Sequence, residues 1–451
     1  MRSINFFRAS VRKYFSSSKD PNIQQDGSSL IGQLKRLVYS KSRSQSETER
    51  ILGLVTSYRA QLSFNECIEA VYLLSRLTRE QGGALSAPEV NKILIKIQEQ
   101  MGDASRTDLI RLIQVCSLVL NRNKASAGDS ASQKVQTLVD EIVDYSISKI
   151  KGRLCDIPTS SLTQVISSLA RQYRPSVDGL IQEIGMETSK RIRKCVDPKG
   201  EYSIVRFPLR SDLHRATPYS LLAYGQIGIE CPPELVEASL DLFQNSKDEI
   251  PYNFLTLYVY ALSLGKSSPI LEDPRFNGLL DYMTEVSSCN QKRIDLTLHD
   301  VCRLCLGSRR TIQFDKFVAC LGEMIVTRSS DEFTVHVLKG LGSLIKDIPE
   351  SNKKGLARIF KELDRVSYQL PAPYAVDILE NLVSSQKRIS SYFPRFISRQ
   401  ITKNLKRMGP LHLQRTIAIL NALKISDDDV RLKAINEATD QLSRKFHHSL
   451  D

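Results

Sequence analysis

The sequence predicts an all-α protein, an α-solenoid built from degenerate helical hairpins of roughly 40 residues. Three observations predict it. An apolar frame, a first position followed by +3, +4, +7 and +8, returns along the chain with the spacing of one buried helical face. It reads as Cys67–Ala70–Val71–Leu74, Leu109–Leu112–Ile113–Cys116, Leu162–Val165–Ile166–Leu169–Ala170, Phe254–Leu257–Tyr258–Ala261–Leu262 and Leu298–Val301–Cys302–Cys305–Leu306. Phe333–His336–Val337–Gly340–Leu341, Tyr374–Ile378–Leu382 and Leu413–Thr416–Ile417–Leu420 continue it. Each copy is followed by a second helix-like stretch, and the alternation expected of half-buried strands is scarce. Successive starts lie 35 residues apart in one case (298 to 333) and 53 in another (109 to 162), so the unit is degenerate.

The elements follow in order. Residues 1–19, MRSINFFRASVRKYFSSSK, carry Arg2, Arg8, Arg12, Lys13 and Lys19 and no acid. On a helix Ile4, Phe7, Val11 and Phe15 form a narrow apolar face with the cations opposite, which is the pattern of a mitochondrial transit peptide. Arg8 and Arg12 interrupt the apolar run that a secretory signal needs. Cleavage is expected within Tyr14–Ser18, leaving the mature chain in the mitochondrial matrix. Residues 20–49 read as a polar linker holding one short helix, Leu30–Tyr39.

Residues 50–194 read as N-terminal hairpins. Ser63 and Glu66 form a capping signature ahead of the first frame. Gly82-Gly83 separates that helix from one opened by Ser86-Ala-Pro-Glu89. Arg106–Leu120 with Val135–Ile150 and Pro158–Arg171 with Val177–Arg193 complete this half. Residues 195–216 break the pattern as an irregular basic insertion, with a short strand expected at Tyr202–Phe207, and mark the boundary between halves. Residues 217–445 carry the C-terminal hairpins: Thr217–Ile229 with Pro233–Phe243, 252–264 with 275–286, 295–306 with 313–326, 332–345 with 352–366, 373–384 with 390–407 and 410–423 with 427–444. Pro251, Pro349, Pro371 and Pro410 stand at unit boundaries, where proline starts helices. Residues 446–451 are a tail.

Composition narrows the function classes. The 451 residues are 41% hydrophobic and 25% charged, ordinary values for a folded chain. The longest uncharged stretches, such as Tyr252–Gly265, are too short to cross about 30 Å of hydrocarbon. The nine cysteines are irregularly spaced and sit mostly at apolar helical positions, as buried free thiols do. Cys302-Arg-Leu-Cys305 is a CxxC, yet both cysteines are frame residues, so it reads as core rather than as a zinc or redox site. Gly340-Leu-Gly342 lacks a third glycine and reads as a close helix contact. His214, His299, His336, His412, His447 and His448 fall in no metal-binding or hydrolase motif. No enzyme, cofactor or metal is expected.

Charge points further. The net charge is +13, and removing the five presequence cations leaves +8. Residues 387–407, KRISSYFPRFISRQITKNLKR, hold seven basic residues and no acid. On a helix Phe393, Ile397, Ile401 and Leu405 form one stripe and Arg395, Arg399, Lys403 and Lys406 the opposite one, with Phe396 beside the cations. Basic groups repeated every turn can follow phosphates, and an exposed aromatic can stack on a base. A second cluster is Lys190, Arg191, Arg193 and Lys194, continuing to Lys199, Arg206, Arg210 and Arg215. These two clusters are the candidate RNA-binding residues, weighed against solvated helix faces.

Units such as Ser161-Leu-Thr-Gln-Val-Ile-Ser-Ser-Leu-Ala170 and Pro410-Leu-His-Leu-Gln-Arg-Thr-Ile-Ala-Ile-Leu-Asn-Ala-Leu423, behind a presequence, resemble the organellar helical-repeat proteins of the heptatricopeptide, octotricopeptide and FAST-kinase-like groups. The resemblance spans residues 60–445 at the level of pattern. It implies binding of mitochondrial rRNA or mRNA, in RNA stability, processing or translation, or association with the mitoribosome. Residues 410–451 read as one more helical pair instead of the strand-containing RAP domain that ends many such proteins, so nuclease activity is not implied. A protein-binding scaffold, or an accessory subunit of a mitochondrial complex without RNA contact, is the alternative.

Overall fold

The computed structural model describes residues 30–39, 50, 53–55, 57, 61–81, 87–123, 130–196, 210–264, 268–349, 352–366, 376–378, 380–381, 410–422 and 428–447. Among them every regular element is helical: α1 (Leu30–Tyr39), α2 (Phe64–Gln81), α3 (Ala87–Gln100), α4 (Arg106–Asn123), α5 (Ser130–Ile150), α6 (Thr159–Arg171), α7 (Asp178–Val196), α8 (Arg210–Ile227) and α9 (Pro233–Ser246). Then come α10 (Tyr252–Leu264), α11 (Pro274–Ser288), the short α12 (Asn290–Arg293), α13 (Leu298–Gly307), α14 (Phe314–Thr327), α15 (Val335–Leu344), α16 (Lys353–Val366), α17 (Pro410–Ala422) and α18 (Asp428–His447). The expected strand at 202–207, the presequence and helix 390–407 lie outside the described residues.

Local chemistry sets several starts. The backbone N–H of Ser63 donates to Glu66 Oε2 at 2.8 Å, and the N–H of Glu66 donates back to Ser63 Oγ at 3.4 Å. Thr297 and Asp300 close the same reciprocal box on α13. Asp273 caps α11, whose first residue is Pro274. The frames then face inward: Cys67, Val71, Leu112, Ile113, Val165, Ile166, Leu257, Tyr258, Val301 and Cys305 are each at most 1% exposed. One frame is displaced. Thr334 caps α15, so its buried face is Val337, Leu338, Leu341 and Leu344, while His336 and Gly340 are half-buried.

The described chain divides into two units. One runs to Ile227 and takes in Cys231–Ala238; the other takes Gly228–Glu230 and Ser239 onward. This division falls near α9. The C-terminal part of the basic insertion at 195–216 is the start of α8, where Leu213, His214 and Ala216 are buried and the helix packs on α6 and α7.

Within the first unit α1 packs on α2, α2 on α4, α4 on α6 and α6 on α8, while α3 packs on α5. Within the second, α10 packs on α13 and α13 on α15, while α11 packs on α14 and α14 on α16. First helices thus lie on first helices and second on second, and each hairpin closes on itself through α2/α3, α4/α5, α6/α7, α10/α11, α13/α14, α15/α16 or α17/α18. Glycine permits one of the closest approaches. A Cβ at Gly307 on α13 would stand 2.9 Å from the Val259 carbonyl oxygen on α10.

A basic residue near the end of the second helix closes four hairpins. Arg328 Nη2 donates to the carbonyls of Arg293 (3.2 Å) and Leu296 (2.9 Å), just before α13. Arg365 Nη2 donates to Ser330 (2.7 Å) and Phe333 (3.3 Å), just before α15. Both arginines reach back by 35 and 32 residues, and they stand 37 apart (365 minus 328). Arg191 Nη2 on α7 binds the carbonyls of Leu154 (2.9 Å) and Cys155 (3.1 Å), ahead of α6. Lys96 Nζ on α3 binds the Leu62 carbonyl at 2.6 Å, ahead of α2. Each clasp satisfies carbonyls of a connecting segment and ties the two ends of one hairpin together. Carboxylates complete it: Glu187 with Arg191 (2.8 Å), Glu332 with Arg328 (3.3 Å), and the buried Glu362 with Arg365 (2.5 Å) and Arg358 (3.1 Å).

A hydrogen bond to a charged group contributes about 1.5–3 kcal/mol. Arg328→Met is expected to cost about 2 kcal/mol by urea unfolding, whereas Arg310→Met, at an exposed residue of the same unit, should shift stability by about 0.5 kcal/mol or less.

Candidate nucleic-acid interface

The described part of the second basic cluster lies in the last turns of α7, where cations also complement the carboxyl-terminal end of the helix dipole. Its four residues do not act alike. Lys190, Arg193 and Lys194 are exposed. They stand at i, i+3 and i+4, the spacing that makes neighbours on a helix surface. Arg191 points the other way and is 8% exposed. Besides its clasp to Leu154 and Cys155 it donates to Thr159 Oγ1 at 3.0 Å and to Glu187. Its donors are occupied inside the hairpin, so Arg191 is corrected from a candidate phosphate ligand to a structural residue.

The α5–α6 connection turns at Gly152 in the left-handed region (φ 76°). It then runs along α7: Lys151 Nζ meets Glu183 at 3.5 Å, and the next carbonyls held are those of Leu154 and Cys155. Arg153 lies between these two anchor points and is exposed. The nearby acids are largely committed, Glu183 to Lys151, Glu187 to Arg191 and Asp156 to Arg106 at 3.0 Å. Glu234 on α9, whose carbonyl accepts from Ser189 Oγ at 2.9 Å, adds one carboxylate beside α7.

Arg395, Phe396, Arg399, Lys403 and Lys406 lie outside the described residues, as do Lys199 and Arg206. Arg210 begins α8, and Arg215 is exposed on it.

Many other arginines are neutralised in place. Arg174 pairs with Asp140 (3.0 Å) and Asp144 (2.5 Å), Arg275 with Asp241 and Asp273 (both 2.8 Å), and Arg293 with Glu323 (2.5 Å). Arg309 pairs with Asp347 (2.8 Å), and Arg415 reaches Asp377 (3.4 Å) and Glu380. A positive net charge is thus a poor guide to which cations are presented to solvent.

The other sequence features resolve as packing. Cys302 and Cys305 are buried, and burial pushes both thiols well above the ordinary range. Among the described residues no group of three or more His, Cys, Asp or Glu side chains could hold a metal ion. A Cβ at Gly340 would lie 3.2 Å from Cys302 Cβ, and one at Gly342 would overlap Ile378. A narrow crevice between α4 and α6 is lined by Thr107, Ile110, Arg111, Gln114, Pro158, Ser161 and Gln164. Within it Gln114 Nε2 donates to Gln164 Oε1. Its lining includes no His, Asp, Glu, Cys or Lys side chain. Among the described residues no helix is long and apolar enough to cross a membrane.

No protein-family model matches the chain, and a comparison with curated proteins finds no significant match.

One buried group makes the fold sensitive to acid. Burial, then the charges of Arg303 and His336, push the His299 pKa down to about 3. An unfolded histidine titrates near 6.5. Between these values the unfolded chain takes up a proton that the folded chain refuses, so stability is lost as pH falls from about 6.5 toward 3. From about pH 6.5 to 5, above most carboxylate titrations, the urea midpoint should fall for the natural chain and fall less for His299→Gln.

Proposed function

We propose that this chain is a helical-hairpin repeat protein of the mitochondrial matrix that binds organellar RNA, in its stability, processing or translation, or in association with the mitoribosome. The layered packing of first helices on first helices supports the repeat reading, and the Arg328 and Arg365 clasps, with their common 35- and 32-residue reach, support it independently. The observation that carries the RNA reading is the exposed pair Lys190 and Arg193 at the end of α7, where Glu183 and Glu187 on the same helix are engaged by Lys151 and Arg191. Phosphate neutralisation by such a group supplies affinity that depends steeply on salt. The acid-free stretch with Arg395, Arg399, Lys403 and Lys406 adds a second candidate surface, with Phe396 as its stacking residue. The mitochondrial address rests on the cationic, acid-free residues 1–19.

A scaffold reading has one observation in its favour. In the second unit Ile294 and Ile312 are 71% and 90% exposed, beside arginines such as Arg293 and Arg309 that are already paired. That surface suits a protein partner better than a polyanion.

The two readings separate on one titration. For the RNA reading, replacing Lys190, Arg193 and Lys194 together by Gln should weaken binding to a single-stranded RNA. It should also lower the slope of log affinity against log salt by about 2, at about 0.7 for each phosphate that is no longer neutralised. Wild-type affinity and slope in this variant and in Arg395→Gln/Arg399→Gln/Lys403→Gln would leave the scaffold reading.

A further inference from the structure

We infer that the exposed flank of α18 is a self-association surface, on which the α18 of a second copy of this chain packs antiparallel.

The stacking of second helices shows what this flank is built for. On α14, Phe317 and Leu321 are fully buried and mark its inner line. One side of that line meets the preceding second helix, where Cys320 Sγ donates to the Ser287 carbonyl of α11 at 3.7 Å. The other side is Val318, Gly322 and Ile325, all buried. That side receives the following hairpin: a Cβ at Gly322 would stand 2.5 Å from Asn352 Nδ2, at the start of α16, and α14 packs on α16. On α18 the same four-residue step is Ala434 and Ala438, both buried, and the helix packs on α17. Counted from that step, Glu437 takes the place of Cys320. Ile435, Thr439 and Leu442 take the places of Val318, Gly322 and Ile325. Here they are less covered. Leu432 is 48% exposed, Ile435 and Leu442 are half-buried, and Thr439 is exposed. Positions 432, 435, 439 and 442 form one stripe of the helix. α18 thus presents to solvent the kind of seat that α14 offers to α16.

Charge selects the occupant. The helix opens with Asp428 and Asp429, closes with Arg444 and Lys445, and carries Lys433 and Asp440 between them. Consider a second α18 laid antiparallel, with the two-fold axis between positions 436 and 437. Positions 428, 429 and 433 (all charged) then stand opposite Lys445, Arg444 and Asp440. The two other charges meet neutral residues, Arg431 opposite Leu442 and Glu437 opposite Asn436. No like charges oppose, and Leu432 and Ile435 fall beside Leu442 and Ala438 of the other copy. A parallel pair would set every charge against itself. Acids at the start and bases at the end also suit the helix dipole, but Lys433 ahead of Asp440 in mid-helix does not follow from it. A two-fold contact of this kind closes on a dimer. A 20-residue helix is about 30 Å long, so one helix pair stays near or below the ~1,200 Å² at which stable interfaces begin. The dimer is therefore expected to be weak, with a dissociation constant on the order of 10 µM.

Sedimentation equilibrium of the purified full chain, from about 1 to 100 µM, tests this. The natural chain should pass from monomer to dimer over that range. Leu432→Glu should raise the dissociation constant about tenfold or more. Lys433→Glu and Asp440→Lys should each raise it roughly fivefold, and the double variant, which restores opposite charges, should recover the natural value. All three positions are exposed, so far-ultraviolet circular dichroism should stay that of the natural chain. A natural chain that remains monomeric throughout would overturn the inference and leave the flank to a helix of another protein. A dimer that Leu432→Glu leaves intact would overturn α18 as the surface. Single reversals that weaken the dimer, with a double variant that fails to recover it, would overturn the antiparallel pairing. RNA binding is tested separately by the α7 substitutions, so the two readings stand or fall apart.

Discussion

A guanidinium or ammonium hydrogen-bonded to carbonyls just ahead of a hairpin's first helix is the constraint on which much of this architecture depends. A connecting segment between hairpins exposes carbonyls that no helix satisfies, and leaving them buried and unmet would cost about 1–3 kcal/mol each. Arg191, Arg328 and Arg365 each meet two of them, and Lys96 meets one. Because donor and acceptor belong to opposite ends of one hairpin, the same bonds set how its second helix returns to its start. Stacking first helix on first helix requires that return to be similar from unit to unit. Apolar frames supply the burial, and the clasp restricts the geometry in which burial is reached.

The same device determines which charges remain for a partner. Arginines in clasps, and those paired with Asp140, Asp241, Glu323 or Asp347, add to the net charge while their guanidinium groups are already engaged within the chain. What reaches solvent near α7 is what this internal use leaves over. Arg191 illustrates the division: one helical residue of a basic run is turned inward and holds the α5–α6 turn, while Lys190 and Arg193 are exposed.

Most helices are legible in the sequence because a buried face repeats every three or four residues, a signal that survives degenerate repeats. Helices Leu30–Tyr39 and Tyr252–Leu264 have the bounds read from the sequence, while α5 starts five residues earlier than read and α13 and α15 start three residues later. Residues 210–216 read as insertion, yet Leu213 and Ala216 prolong the buried face of α8 across Pro218. Register alone separates Arg191 from its neighbours, since it lies seven residues from the buried Ile184 and three from the buried Thr188. Composition makes the four cations look equivalent. Arg153 carries no local signal at all; its place depends on carbonyl acceptors, which every residue has and no sequence pattern marks. The clasps are invisible for the same reason, although Arg328 and Arg365 repeat at 37 residues.

The central claim is that clasped and paired arginines are committed to the fold, while the proposed RNA would meet the exposed Lys190 and Arg193 of α7. Ultraviolet crosslinking of the purified chain to a single-stranded RNA, followed by mass-spectrometric mapping of the attached peptides, measures this directly. The account predicts adducts on peptides containing Lys190 and Arg193, and none on those around Arg309, Arg328 or Arg365. Adducts concentrated on the latter peptides, with residues 150–196 unmodified, would contradict it.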